Sequence, residues 1–319
     1  MVLIAKVPSM NHSSTDNRPR LLVVGGDSSR EAAVRAARGC QFAGQIRDWS
    51  EARRLPRAFD ALVIATPIGE RPNVVRAALD AGKHVLCDAP LSKHDEEARE
   101  LARLADDRGL RLTTAFPRRF DPPVREALDL IRSWAIGRVR GLRVEIGRAD
   151  VGEILDAFDL IRSFLGEVVS ALFQEAFVLF RNSNRDVAEV RTEGDCHSTY
   201  DILGSDGYLR VESAPWRLSG RLADGKRLRK RYRLIRAAEV WRQRRCLGNL
   251  SCVRQIQAFA APPTPTQAPV AASGWDGCRA QEMVSALERS KAVDGEVALR
   301  PLPVRVRKTR LWSSARRLD

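Results

Sequence analysis

Three places along this chain carry residue types that could do chemistry. The first is the turn after the apolar run at 20–26. There Gly25 and Gly26, with Ser28 and Ser29 behind them, could bring a backbone turn and a helix N-terminus close to a pyrophosphate. The second is Asp88-Ala89-Pro90, at the end of another apolar run. It reads as an active-site corner whose reactive residue has been replaced by a methyl group. The third is the pair Asp156 and Asp159, three residues apart and so on one face of a helix. A carboxylate can accept a proton, but an ordinary aspartate pKa of ~3.9 is a poor match for abstraction at neutral pH. The plainer reading makes both aspartates polar positions on an amphipathic helix.

The glycine turn is incomplete as a dinucleotide fingerprint. Three glycines are needed, for the tight turn, for approach to the pyrophosphate and for helix–strand packing. Counted from Gly25, the second and third positions hold Asp27 and Arg30. Shifted by one, Gly26 and Ser29 fit, but Val24 takes the first position. A carboxylate ~4 Å from a phosphate charge is repelled by about 1 kcal/mol in bulk water and about 4 kcal/mol near a protein surface, so Asp27 predicts weakened or lost binding. Segment 40–59 leaves little room for a full second strand, and Asp48 is the acid expected at its end for the adenine ribose.

These residues need a frame. "RLLVVGG", "DALVIATP", "HVLCD" and "LRLTTAF" are short apolar strands, and "SSREAAVRAARG", "PNVVRAALDAGK" and "HDEEARELARLADDRG" are helices between them. Apolar strands alternating with helices predict a parallel sheet covered on both faces. Beyond about residue 140 the pattern changes to a helix at 153–165 and long extended segments. "YDILGSDGYLRVE" is a hairpin turning on Ser-Asp-Gly. "SCVRQIQAFA" and "CRAQEMVSALERSKAVDG" are helices, the second closing at Gly295.

The 319 residues suffice for two domains, and 44% hydrophobic with 29% charged residues is a globular balance. No run reaches the ~20 apolar residues of a membrane span, and the opening lacks the pattern of a signal peptide. Six cysteines without a paired CxxC spacing suggest reduced thiols in a cytoplasmic protein, and no metal site. The net charge of +14 is local: segment 226–245 carries ten basic residues and one acid, and tail 300–319 carries seven and one. An Arg-rich solvated strand and helix is one reading of 226–245. An anionic partner is the other, whether nucleotide-sugar, polysaccharide, nucleic acid or membrane surface.

The order and spacing of "DALVIATP", "AALDAGKHVLCDAPLS", "EEARELARLADDRGLRL", "RRFDPPV", "AIGRVRGLRVE", "LGSDGYLRV" and "DGCRAQEMVSALERSKAVDGEVAL" closely resemble the glucose–fructose oxidoreductase/inositol dehydrogenase (Gfo/Idh/MocA) family over roughly 20–300. The resemblance implies an α/β fold: an N-terminal Rossmann-type parallel sheet, then an α+β domain with an open, mainly antiparallel sheet. The implied division is a tail at 1–18, a dinucleotide-binding domain at 19–140, a C-terminal domain at 141–299 and a basic tail at 300–319. Family members usually transfer hydride between a nicotinamide cofactor and a sugar, polyol or nucleotide-linked sugar. NAD or NADP is therefore the expected cofactor, with Thr66, Pro67, Asp88 and Pro90 beside it and a small sugar-like molecule as ligand. A homo-oligomer through the C-terminal sheet is also expected.

Carried over residue by residue, the chemistry is altered. Ala89 stands where the family lysine would steady a developing alkoxide, a role whose loss costs on the order of 2.7–4 kcal/mol. Asp156 stands at the family histidine, Gly152 at the preceding aspartate and Asp159 at the following one. Ile68 and Arg71 replace the asparagine and histidine expected after Pro67. Letters that build sheet and turns fit, while letters that touch cofactor or substrate do not. Two functions stay open: an oxidoreductase with a degenerate site, or a catalytically inactive homologue acting as a binding or partner subunit.

Overall fold

The apolar runs become the strands of a five-stranded parallel sheet in the computed structural model. It describes residues 18–303, apart from 27, 53–58, 148–150, 176, 193–196, 214–215, 234–236, 238–248 and 263–270. Strands β1 (Arg20–Gly25), β2 (Gln41–Ile46), β3 (Ala61–Ala65), β4 (His84–Asp88) and β5 (Leu112–Ala115) lie in the order β2-β1-β3-β4-β5. Ala61 of β3 pairs with His84 of β4 in parallel register, so the two runs expected to be neighbours are neighbours. Segment 40–59 does hold a second strand: β2 takes six residues directly after the turn at Gly39, so the loop following α1 is very short. The expectation of too little room is thereby corrected.

Helices cover both faces because the runs of β1, β3 and β4 are apolar at successive positions and so on both sides of the sheet. On one face Leu22, Val24, Leu62 and Val85 meet α3 (Arg71–Asp80) and α4 (Asp95–Asp107). On the other, Leu21, Val23 and Val63 meet α1 (Ser28–Ala36) and Val253, Ile256 and Phe259 of α7 (Leu250–Ala260). Helix α7 comes from far along the chain, yet it completes the covering of the first sheet.

The second sheet has nine strands in the order β13-β12-β11-β10-β6-β9-β8-β7-β14. They are β6 (Val139–Ile146), β7 (Val168–Gln174), β8 (Phe177–Asn182), β9 (Val187–Thr192), β10 (Thr199–Gly204), β11 (Tyr208–Ser213), β12 (Trp216–Arg221), β13 (Arg227–Arg231) and β14 (Val297–Ala298). All pairings are antiparallel except β6 with β9. One face packs on α5 (Pro122–Arg132), α6 (Val151–Leu165) and α8 (Gly274–Val293), through Val144, Val190, Tyr200 and Val211. The opposite face carries the alternate residues, charged ones such as Arg143, Glu189 and Asp201 together with apolar ones such as Leu203 and Tyr208. A short α2 (Trp49–Ala52) follows β2, and a 3-10 turn (Pro117–Phe120) links β5 to α5.

Helix α8 joins the two sheets. Gly274 and Gly277 let it lie on β5, since a Cβ at Gly277 would come 2.9 Å from Thr114 Cβ. Arg279 and Arg99 of α4 both donate to the buried Glu282 carboxylate at 2.8 Å. Its left-handed closing residue is Asp294 rather than the expected Gly295. Among the described residues no helix is long and apolar enough to cross a membrane.

Candidate active site

The order of the first sheet reverses between β2 on one side of β1 and β3 on the other, and open α/β sheets bind ligands outside the carboxyl ends of strands at such a point. Gly25 and Gly26 stand there with φ of +71° and +73°. Neither could carry a side chain: a Cβ on Gly25 would come 2.9 Å from Thr66 Cγ2, and one on Gly26 3.0 Å from Ala65 Cβ. Both glycines are thus used for the close approach of the β1 turn to the end of β3. Gln45 of β2 braces the turn by donating to Gly25 O at 2.9 Å. Ser28 and Ser29 open α1, and the buried Thr66 hydroxyl at the end of β3 has no hydrogen-bond partner among the described residues. This half of the crevice fits a pyrophosphate. Asp27 lies outside the described residues, so the repulsion expected from it has no geometry to draw on.

The other half is occupied by the protein itself. Arg30, third residue of α1, lies over the turn with its Cγ 3.2 Å from where a Gly26 Cβ would be. Its guanidinium pairs with the Asp88 carboxylate at 2.5 Å, spanning from α1 across to the end of β4. Arg71, at the position of the expected histidine, is buried. It donates to Thr66 O at 2.8 Å and Pro90 O at 2.6 Å, and to Asp88 O at 3.3 Å. Of the four positions assigned to the cofactor (Thr66, Pro67, Asp88 and Pro90), three are therefore bonded by Arg71 through their backbone carbonyls, and the Asp88 carboxylate is also engaged by Arg30. Asp48, two residues beyond β2, accepts from the Ser50 N–H at 2.7 Å at the far edge of the sheet.

The corner residue Ala89, joined to Pro90 by a cis peptide, packs against the core of the second sheet. Leu155, Ala157 and Phe158 of α6 belong to the same cluster, which brings the corner and α6 to one junction. The two α6 aspartates part company there. Asp159 is fully buried and accepts two hydrogen bonds from Arg119, both at 2.5 Å, while Ser163 bonds its backbone. Asp276, 3.7 Å from Arg119, and Arg162, 3.1 Å from Asp276, extend the same network. Burial works against Asp276 ionising, but Arg119 and Arg162 hold it well below the usual carboxylate range. The structure thus corrects the assignment of Asp159 to proton transfer: both of its oxygens serve an interior ion pair.

Asp156 is different. One carboxylate oxygen, Oδ1, is buried without a partner among the described residues, and the other lies 3.9 Å from Arg118 Nε. Burial pushes this carboxyl well above its ordinary range. Arg118 opposes the shift, while the Asp159, Asp121 and Glu153 carboxyls add to it. The low basicity expected of Asp156 is therefore overturned, because the expectation used a solvated aspartate. Arg118 was not singled out in the sequence; it donates to Glu153 at 2.8 Å and is the cation nearest the carboxyl in the pairs described. Its only sequence signal is its place in "RRFDPPV". The arrangement can exchange a proton at Asp156, but at the corner Ala89 offers no donor to a developing alkoxide. Lys93, the nearby cation, is exposed, its Nζ 3.9 Å from the Cβ position of Gly69 on the β3–α3 loop. Among the described residues no group of histidine, cysteine and acidic side chains could hold a metal ion.

Residues 7–116 match the model of an oxidoreductase family described by its NAD-binding Rossmann fold, GFO_IDH_MocA. Levoglucosan dehydrogenase of Pseudarthrobacter phenanthrenivorans is 32% identical over 117 residues, which are 37% of this chain and 30% of that protein. Inositol 2-dehydrogenase 4 of Saccharopolyspora erythraea is 31% identical over 166 residues, 47% of this chain and 48% of that one. The chain thus spans about half or less of these curated relatives. The solved structure of a levoglucosan dehydrogenase in complex with NADH superposes with a TM-score of 0.70 at 17% identity, covering 89% of this chain and 100% of that one. Scyllo-inositol dehydrogenase from Lactobacillus casei, solved with NAD(H) and scyllo-inositol, gives 0.65 at 17%, covering 88% and 99%. At such identities the superpositions speak for the fold, and both sheets are within it. The sequence match to the GFO_IDH_MocA oxidoreductase family is thus carried by the N-terminal, NAD-binding Rossmann part, and the likeness of nearly the whole described chain to these solved structures is one of fold.

Proposed function

We propose that this chain keeps the frame of a sugar or polyol oxidoreductase but works as a binding or partner subunit without hydride transfer. Its cleft would take a small sugar-like molecule, with NAD or NADP held weakly. The observation that carries this reading is the Arg30–Asp88 pair at 2.5 Å beside Ala89. The ion pair stands across the crevice where the nicotinamide end of a dinucleotide would lie, and the residue next to it has no proton to give. Hydride removal from an alcohol needs a base for the proton and a charge to hold the oxygen; Asp156 could take the proton, but the corner offers nothing to hold the oxygen.

A second reading is favoured by Asp156 alone. Its raised pKa and unpartnered oxygen suit a general base, and an oxidoreductase using NAD or NADP would then act on a sugar, polyol or nucleotide-sugar through altered residues. A homo-oligomer through the open sheet and a cytoplasmic location fit either reading. The open face supports the oligomer with oppositely charged neighbours at its centre, where Glu189, Arg143 and Asp201 stand in one row across three strands.

Calorimetric titration with NAD+, NADH, NADP+ and NADPH, followed by cofactor reduction with a panel of sugars, polyols and uronic acids, separates the two. The binding reading expects weak titrations and no turnover above background. It also expects Ala89→Lys with Asp156→His to gain more together than the single changes combined, since the two groups act on one proton and one hydride. Robust turnover by the unmodified chain would overturn it, and loss of that turnover in Asp156→Asn would establish the second reading.

A further inference from the structure

The hairpin of β12 and β13 at the edge of the second sheet shows an unusual outer face. Its inward side chains are accounted for. Leu218 is buried, Leu228 packs on the core, and Lys230 turns in to Glu126 of α5, which also accepts from the Tyr232 hydroxyl at 2.7 Å. The outward positions are Arg217, Ser219 and Arg221 on β12 and Arg227, Arg229 and Arg231 on β13. In register, Arg217 faces Arg231, Ser219 faces Arg229 and Arg221 faces Arg227. Like charges directly opposite each other destabilise a sheet, so this pattern does nothing for the hairpin itself. Arg217 has Glu212 at 3.5 Å on the neighbouring β11. Arg221, Arg227, Arg229 and Arg231 are exposed and have no ion pair or hydrogen bond from their side chains among the described residues.

The same face adds an apolar platform. Leu203 of β10 faces Tyr208 of β11, and Tyr208 faces Arg221, which faces Arg227, so one row across four strands reads Leu-Tyr-Arg-Arg. Leu203 is 51% and Tyr208 50% exposed. From these observations we infer that the outer face of the β11–β13 edge binds a single-stranded nucleic acid. The phosphodiester chain runs along the arginine ranks, and a base stacks on Tyr208.

Three features select this partner among polyanions. All the unpaired cations are arginine, whose planar fork matches phosphate oxygens with two hydrogen bonds, whereas an ammonium offers a point charge. Outward residues two apart along a strand repeat at about 6.7 Å, and the ranks lie about 4.8 Å apart, giving a regular cationic lattice for a regularly charged chain. A half-exposed tyrosine beside those ranks is a platform that only unpaired bases can use, since bases within a duplex are already stacked. A lipid surface would call instead for several large apolar side chains projecting together, and the outward positions of β12 and β13 hold none.

The test is fluorescence anisotropy of a labelled oligo-uridine strand with the full chain, titrated at several salt concentrations. The Arg227→Glu, Arg229→Glu, Arg231→Glu triple variant should lose at least tenfold in affinity, and its log–log salt slope should flatten by about two, at ~0.7 per phosphate contact. Tyr208→Ala should weaken binding roughly tenfold with the slope unchanged, the mark of a lost stack. A charge-matched control, Arg38→Glu, Arg132→Glu, Arg185→Glu, should bind like the unmodified chain. A triple glutamine variant serves if the glutamates prevent folding, as judged by circular dichroism. The inference is overturned if the hairpin variants bind like the control. It is also overturned if duplex binds as well as single strand with no effect of Tyr208, or if phosphatidylserine vesicles capture the protein and the oligonucleotide does not.

Discussion

Replacing Arg30 by glycine should open the dinucleotide crevice. The side chain does two things there: it covers the Gly25–Gly26 turn, and it holds Asp88 at 2.5 Å across the end of β4. The two side chains are 23% and 20% exposed, between a surface pair and a buried one. Exposed pairs contribute about 0–1 kcal/mol and breaking a buried one costs about 3–5, so displacing this pair costs a ligand about 1–2 kcal/mol. That range corresponds to about 5–30-fold in Kd. Arg30→Gly also supplies the third glycine of the fingerprint counted from Gly25. The change should therefore tighten NADH binding about 5–30-fold in isothermal titration. Glycine in α1 should lower stability by about 1 kcal/mol, read separately as a lower melting temperature, and Arg30→Ala provides the same opening with less loss of helix. Unchanged or weaker NADH binding in both variants would refute the reasoning, because it would mean that the guanidinium leaves Asp88 to hold the phosphates.

Two further outcomes follow from burial and packing. Asp156 binds its proton more tightly folded than unfolded, so between the unfolded pKa near 4 and its higher folded value the native state carries the extra proton and stability falls as pH rises. Asp156→Asn should accordingly be more stable than the unmodified chain at pH 7, with the gap closing towards pH 4; urea unfolding at both pH values checks this, and a gap that widens in acid would show the carboxylate to be ionised and held by Arg118. Gly277→Ala would force α8 away from β5, because the new methyl would come 2.9 Å from Thr114 Cβ and closer still to its Oγ1. Overpacking of this kind costs about 1–3 kcal/mol, visible as a lower melting temperature, and an unchanged one would mean that α8 is free to shift.

What the sequence determined was set by local pattern. Strand Ala61–Ala65 is apolar at every position, and His84–Asp88 at its three inner ones, because both faces of a parallel sheet are covered, and that signature needs no tertiary knowledge. The register of Ala89 at the lysine position and of Asp156 at the histidine position is likewise a matter of order along the chain. The same pattern missed β2, since Gln41–Ile46 is an edge strand of middling burial, broken by Gly44 and two glutamines, and announces itself only by pairing with β1. Nor could it separate Asp156 from Asp159: three residues apart on one helix, Asp159 meets the Arg119 fork from a distant turn, while Asp156 is largely buried beside a cluster of carboxyls with Arg118 only at 3.9 Å. The covering of the crevice by Arg30 and Asp88, 58 residues apart, and the arginine ranks on β12 and β13 are of the same kind. A side chain's charge is written in the sequence, but its desolvation and its partner are properties of the space it is folded into, and only the tertiary structure decides them.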